Sequence, residues 1–346
     1  MHMEELDESG KKSMSVTVVV CTYNRCQALA KALDSIAVQV MPKSVFWDVL
    51  IVDNNSSDKT REISEKYCRE NPDLFSYIFE PKQGLSQARN TGIQKSRGGI
   101  VAFTDDDAVV EPNWLWNLTR ALHDGEWAGA GGRIIPVWDG PIPNWLSNED
   151  IEKIGTFGGF DEGPEPVALE RPPYGGNIAF RREAFERYGG FRVDLGRTGG
   201  NLQGREDIEL ANRLFAHGER LRYEPGAVIR HPVTENRMKK SYVLRWFYWD
   251  SRSEIVDDYS LEAGASIRGV PLYLFRRLIR WVLQWTVSFS ARRRFFCECQ
   301  MWKVAGYIAG CYCGTFDRDQ KKPVSQADVT GRAVQPQQRS GTADSN

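Results

Sequence analysis

Four short apolar runs, separated by stretches with helical spacing, constrain this chain more than any other feature. Val16-Thr17-Val18-Val19-Val20 reads as a strand apolar on both faces, and Ala28, Leu29, Ala32, Leu33 and Ile36 follow at helical spacing. Val49-Leu50-Ile51-Val52, Phe75–Phe79 and Ile100-Val101-Ala102-Phe103 repeat the strand pattern. A charged helix ending at Asn71-Pro72 and a helix over 86–96 lie between them. Strands buried on both faces and alternating with helices build an α/β fold, a mostly parallel sheet with helices against it. The same periodicity predicts a helix from Pro112, helices over Arg182–Tyr188 and 207–217, and a last core strand over 227–230.

The chain has 346 residues, 41% hydrophobic and 26% charged, which is enough to bury a full core as one large or two small domains. The net charge of −1 is unevenly spread. From 265 to 305, Arg268, Arg276, Arg277, Arg280, Arg292, Arg293, Arg294 and Lys303 stand against Glu298 alone, so an anionic surface is expected as a partner of this basic, aromatic segment and nucleic acid is not. Seven scattered cysteines, with no leading secretory pattern, fit a reducing, cytoplasmic setting. Cys297-x-Cys299 and Cys311-x-Cys313 lack the wider spacing of zinc clips. No uncharged apolar run reaches the roughly 18 residues of a spanning helix. Glycine-rich dinucleotide and P-loop motifs are absent, so any nucleotide is held by another device.

Asp105-Asp106-Asp107 closes the fourth apolar run. Packed like charges repel, and Mg²⁺ or Mn²⁺ relieves the conflict by taking hard carboxylate oxygens while sharing its other positions with water and phosphates. A solvated acidic turn is the alternative. At the carboxyl end of a buried strand, the triplet sits where open α/β sheets place their ligands. Asp53-Asn54-Asn55-Ser56-Ser57-Asp58, at the end of the second run, is rich in turn and capping residues.

Taken in order, Val20-Cys21-Thr22-Tyr23-Asn24-Arg25, Val52 to Asp58, Gly84-Leu85-Ser86-Gln87-Ala88-Arg89-Asn90, the triplet, Gly175-Gly176-Asn177 and Gly204-Arg205-Glu206-Asp207-Ile208-Glu209-Leu210 resemble glycosyltransferase family 2, the inverting group with the Rossmann-like GT-A fold. The likeness runs over about 15–236, and its strength lies in the ordered set rather than in any one block. It implies that Asp105 and Asp107 hold the divalent ion against a nucleotide-sugar diphosphate, with His231 completing the metal shell. Asp106 is left facing ribose or solvent. It further implies that Thr22, Tyr23 and Asn24 line the nucleotide pocket and that Asp53 accepts a hydrogen bond from the base of a UDP-, dTDP- or GDP-linked sugar. By the same likeness Arg89 reaches the diphosphate, and Gly176 and Asn177 meet the acceptor. Asp207 is then the base that removes the acceptor hydroxyl's proton, with Glu206 second. If a helix starts here, the two acids lie about 100° apart and cannot both face one substrate.

The implied organisation is a loose tail over 1–14, a catalytic domain over 15–236 divided near 110 into nucleotide and acceptor halves, a helical basic region over 237–316 and a disordered tail over 317–346. Residues 138–173, rich in Pro, Gly and Trp, read as an irregular, partly mobile segment beside the site. Arg245-Trp246 resembles the QxxRW motif of processive synthases, but Tyr242 replaces its Gln, which favours one sugar per encounter. Over 272–289, Leu274, Leu278, Trp281 and Trp285 share helical spacing, with Arg276, Arg277 and Arg280 across one side. That pattern predicts a helix lying in a lipid interface, hence a peripheral enzyme on the inner face of the cell membrane with a polyprenyl-linked or surface-glycan acceptor. The competing readings are a sugar-1-phosphate nucleotidyltransferase and a non-catalytic sugar-nucleotide scaffold.

Overall fold

The computed structural model describes residues 14–146, 151, 154–157, 159–257 and 265–317. The tails expected at both ends lie outside the described residues, apart from Met14 and Asp317.

The amino-terminal half follows the alternation read from the sequence. Strand β1 (Ser15–Thr22) leads to α1 (Cys26–Ala37), β2 (Phe46–Asp53) to α2 (Thr60–Glu70), β3 (Phe75–Phe79) to α3 (Leu85–Lys95), and β4 (Ile100–Asp105) ends at the acidic triplet. Val16, Val18, Val20, Val49, Ile51, Val101 and Ala102 are wholly buried, as strands covered on both faces must be. Leu29, Ala32, Leu33 and Ile36 turn the inner face of α1 onto them.

Beyond β4 the sheet becomes mixed. After the two-residue β5 (Val109–Val110) and α4 (Trp114–Thr119) come β6 (Gly129–Trp138), β7 (Val167–Ala168), β8 (Asn177–Arg181), α5 (Arg182–Tyr188), α6 (Glu206–Ala216) and β9 (Leu221–Val233). The strand order is β3-β2-β1-β4-β8-β6-β9-β5, with β7 also on β9. β8, β5 and β7 run against their neighbours while the other six strands share one direction, so the sheet is mostly parallel. The last core strand is longer than the 227–230 read from sequence, because a register shift between Gly132 and Arg133 lets β9 continue past an irregularity. At Gly132 a Cβ would lie 2.2 Å from the Ala227 carbonyl oxygen, so this bend needs glycine.

The carboxyl-terminal region is helical. α7 (Lys240–Asp257) packs on α9 (Ala291–Asp317), and between them a hairpin of β10 (Ser266–Ile267) and β11 (Val270–Pro271) feeds α8 (Leu272–Val287). Arg268 and Gly269 at the hairpin tip have φ of 50° and 80°, as a primed two-residue turn requires. A second core of Leu146, Ile154, Phe157, Val233, Met238, Val243, Phe295 and Cys299 joins this region to the nine-stranded sheet. Within 138–173, Leu146, Ile154, Phe157 and Phe160 are buried, while Ile142 and Val167 stay exposed.

Candidate active site

The strand register determines what meets at the sheet's edge. Thr22 pairs with Asp53 and Cys21 with Asp105, so β1, β2 and β4 end side by side. Just past the triplet, Val109 pairs antiparallel with Arg230, which brings the next residue of β9, His231, beside Asp107. β8 starts opposite the end of β4, Asn177 against Thr104, and so carries Gly175-Gly176 to the same edge. The chain then enters α6 through Arg205, which is in the left-handed region with φ of 74°. These pieces surround a cleft of about 760 Å³.

Asp105, Asp107 and His231 offer one ligand atom each within 4.8 Å of one another. His231 Nε2 lies 3.8 Å from Asp105 Oδ2 and 3.5 Å from Asp107 Oδ1. Burial holds the His231 imidazole below its ordinary pKa, with Arg237 adding to the effect against the pull of Asp107, so the neutral ring keeps a lone pair to donate. Burial opposes ionisation of Asp107, but His231, Arg25 and Arg237 outweigh it and keep its carboxyl below the usual range. Arg25 also reaches Asp106 Oδ1 at 3.2 Å, and Arg237 Nη2 stands 3.5 Å from Asp107 Oδ2. Burial, then the neighbouring carboxylates, push Asp106 up to about 7 in spite of Arg25. Two carboxylates and a neutral imidazole form a donor set that fits Mg²⁺ or Mn²⁺.

The second acidic group is built on Arg89. From α3, its guanidinium donates to Glu206 Oε1 at 2.7 Å and to the Gly175 carbonyl at 3.3 Å, and lies 4.0 Å from Asp105. Arg89 and Glu206 are both nearly inaccessible, so the pair is held in a dry setting. Asp207 meets the same glycine from its amide side, accepting from the Gly175 N–H at 2.6 Å and from its neighbour Ile208 N–H at 2.8 Å. The two glycines allow this crowding. A Cβ on Gly175 would sit 2.6 Å from Arg89 Nη2, and one on Gly176 would sit 2.5 Å from Asp105 Oδ2.

The sequence profile of Glycosyl transferase family 2 matches residues 17–189. The chain belongs to glycosyltransferase family 2. This glycosyltransferase is 29% identical over 250 residues to the glucosyl-dolichyl phosphate glucuronosyltransferase of Haloferax volcanii, covering 71% of this chain and 78% of that protein. It is 29% identical over 238 residues to the succinoglycan biosynthesis protein ExoM of Rhizobium meliloti, covering 68% and 72%. Among solved structures it shares its fold with the mannosyltransferase PcManGT of Pyrobaculum calidifontis in complex with GDP-Man and Mn²⁺. There the TM-score is 0.52 at 19% identity, covering 91% of this chain and 78% of that one. GalNAc-T7 with UDP, GalNAc and Mn²⁺ gives a TM-score of 0.50 at 17% identity, covering 73% and 53%. The family 2 fold is therefore the GT-A architecture, and both solved neighbours were determined with Mn²⁺.

Within this family 2 glycosyltransferase, Thr22, Tyr23, Arg89, Asp105, Asp106, Asp107, Gly176, Glu206, Asp207 and His231 all border the cleft. Asn24, Asp53 and Asn177 are not in its wall. Asn24, at φ 52°, uses its Oδ1 to accept from the Ser57 and Asp58 N–H groups, tying the loop after β1 to the loop after β2. Asp53 is buried and already accepts from the Ser56 N–H at 2.9 Å and the Tyr77 hydroxyl at 3.0 Å. Asn177, expected beside the acceptor, is fully buried, accepts from Trp114 Nε1 and donates to the Arg133 and Ala227 carbonyls, stitching the irregularity between β6 and β9. Arg89 serves the acids around it, and its pairing with Glu206 is the contact that sequence reasoning missed.

Other cleft residues went unassigned in the sequence. Arg25 and Arg237 embrace the triplet, and Arg25 was visible only as the last residue of the first matched block. Tyr242, Trp246 and Asp250, spaced by four along α7, put one helical face into the cleft. Only Tyr242 and Trp246 carried a signal, through the likeness to QxxRW. Asp250 carried none, and burial raises its carboxyl pKa although Arg205 opposes the shift.

Proposed function

We propose that this enzyme transfers a sugar, with inversion, from a nucleoside-diphosphate donor to a hydroxyl of a lipid-linked or surface-glycan acceptor. The observation that carries the proposal is that the Asp105–Asp107–His231 group and Asp207 border the same cleft, with Arg89 linking the Asp105 and Glu206 sides. Thr22 and Tyr23 line the nucleotide end. Arg25 and Arg237, already beside the triplet, take the diphosphate's negative charge as it grows. Asp105, Asp107 and His231 would hold Mn²⁺ or Mg²⁺, which neutralises the diphosphate when bound.

Asp207 accepts the acceptor hydroxyl's proton while that oxygen bonds to the anomeric carbon. The bond from that carbon to the phosphate oxygen breaks, and its electron pair leaves with the nucleoside diphosphate. The Gly175 and Ile208 N–H groups fix the Asp207 carboxylate in place for this step. Glu206 keeps Arg89 oriented and is thus a positioning residue. Gly176 leaves room beside Asp105, and Trp246 with Tyr242 offers an aromatic wall on which an acceptor sugar stacks. The glucosyl-dolichyl phosphate glucuronosyltransferase relative supports a polyprenyl-type acceptor, and the basic, aromatic segment over 265–305 supports a peripheral position on the inner face of the membrane. Among the described residues, no helix is long and apolar enough to cross one.

Thermal-shift titration with nucleoside diphosphates and nucleotide sugars, each with and without Mn²⁺ or Mg²⁺, tests the proposal. Native-state binding at a hundredfold excess over Kd stabilises by about 2.7 kcal/mol, and the cation and the nucleotide together should shift Tm more than the sum of either alone. Independent shifts, or the same coupling in Asp107→Asn, would refute it. Release of pyrophosphate from a nucleoside triphosphate and a sugar 1-phosphate would replace it with the nucleotidyltransferase reading.

A further inference from the structure

We infer that the outward face of α8 and the turn leading into α9 seat in the interface of an anionic phospholipid bilayer. The inference gives a surface to the lipid-linked acceptor proposed above, and rests on that reading for its purpose.

The face in question is not the one the sequence suggested. Leu274, Leu278 and Trp281 turn inward and pack with Ile255, Val270, Val304, Tyr307 and Cys311 in a third core. Trp285 donates its Nε1 hydrogen to Glu298 and lies beneath the Arg294 guanidinium. What remains outside is a second apolar stripe. Ile279 is 59% exposed, Leu283 60% and Val287 71%, at a spacing of four, with Val282 beside them. Phe289, in the turn after α8, is 101% exposed, and Phe296 on α9 is 53% exposed. No described residue covers this stripe. Exposed apolar side chains grouped this way mark an interaction site rather than an ordinary surface.

Charge identifies the occupant. Arg276 and Arg280 are exposed along one edge of the stripe, and Arg292, Arg293 and Arg294 follow the turn, while Glu298 is the acid of 265–305 and faces Trp285. An apolar stripe rimmed by arginine suits acyl chains below anionic headgroups. A second copy docked through the same face would bring two arginine-rimmed stripes together with no acidic rim to offset them, since a two-fold interface uses the same patch on both copies. Spanning is ruled out for α8, whose 16 residues carry three arginines and fall short of the roughly 20 apolar residues a bilayer requires. The helix therefore lies in the membrane plane. Because α8 packs on α9 and α9 on α7, whose Tyr242, Trp246 and Asp250 line the cleft, the membrane contact is mechanically continuous with the acceptor wall.

Flotation of the full chain with vesicles of phosphatidylglycerol and phosphatidylcholine, against phosphatidylcholine alone, tests the inference. Binding to the anionic vesicles should fall at least tenfold in Leu283→Asp/Val287→Asp, and likewise in Arg276→Glu/Arg280→Glu. Both variants should keep the wild-type thermal shift with Mn²⁺ and nucleoside diphosphate, which shows an intact fold and donor site. Equal or absent binding of wild type to the two vesicle types overturns the inference. So does wild-type binding by either variant, or a dimer in light scattering that Leu283→Asp dissolves. Vesicle binding without transfer to any polyprenyl-linked acceptor sinks the acceptor reading alone. Transfer to such an acceptor in detergent without vesicle binding sinks this inference alone.

Discussion

The cleft contains two groups of carboxylates, and they are neutralised in opposite ways. The triplet at the end of β4 is met by Arg25, His231 and Arg237, drawn from separate loops and a distant strand, and Asp105 keeps 37% of its side chain exposed. The Glu206-Asp207 pair is met by one buried arginine from α3 and by backbone N–H groups, in a space two glycines leave open. Partners drawn from several separate elements can be exchanged for a ligand's charges. A single desolvated ion pair cannot be exchanged without a large cost, so it holds its neighbours in one geometry. The first arrangement suits a site whose ligand changes charge during the reaction, the second a site that must aim one carboxylate.

That contrast is open to direct attack. The largest expected effect is in Asp207→Asn, where loss of a general base lowers kcat by roughly 10²- to 10⁴-fold while the thermal shift with Mn²⁺ and nucleoside diphosphate is unchanged. Loss of that shift as well would show the pair sharing in donor binding. Next, Asp107→Asn should abolish the coupled shift and reduce transfer by roughly 10²- to 10³-fold, with an unchanged circular dichroism spectrum. A variant that keeps the coupling would remove Asp107 from the ion's shell.

Stability separates the two groups further. Arg89→Met leaves Glu206 buried without its cation and should cost about 3–5 kcal/mol in urea unfolding. Arg25→Met, at a partner 37% exposed, should cost no more than about 1 kcal/mol. Similar losses in both would erase the distinction between locked and exchangeable pairs. The smallest effect concerns pH. Burial, followed by the charge of Asp207, pushes Glu206 from 4.5 up to about 7 despite Arg89. Between those values the folded protein keeps a proton that the unfolded chain releases, so this group's contribution to stability is present below pH 4.5 and declines as pH rises towards 7. Urea midpoints across that window should show a downward component with pH that Glu206→Gln removes.

Much of the amino-terminal half was legible because its strands are buried on both faces and its helices carry a clean apolar stripe. β1 to β4 and α1 to α3 stand within a few residues of their sequence-based bounds. β6 and β8 were not anticipated. Gly129, Gly131 and Gly132 dilute the strand signal in β6, and they are there because Phe180, Pro173 and the Ala227 carbonyl approach too closely for a Cβ. Among the site residues, the acids, Arg89 and His231 carried chemistry that a sequence displays. Less legible were the small polar residues Asn24, Asp53 and Asn177, whose side chains bond within the protein and serve the backbone as readily as a ligand.

By itself the sequence determined the α/β class, the edge at which the acidic loops open and the kind of reaction that carboxylates in that order support. The first two follow from periodicity and residue chemistry, which are local, and the third from the likeness of the ordered blocks to glycosyltransferase family 2. Only the tertiary structure decided that Arg89 belongs to Glu206, that α7 walls the cleft and that α8 buries Leu274 while leaving Leu283 outside. Helical spacing defines stripes on a cylinder, but which stripe is covered depends on partners far along the chain.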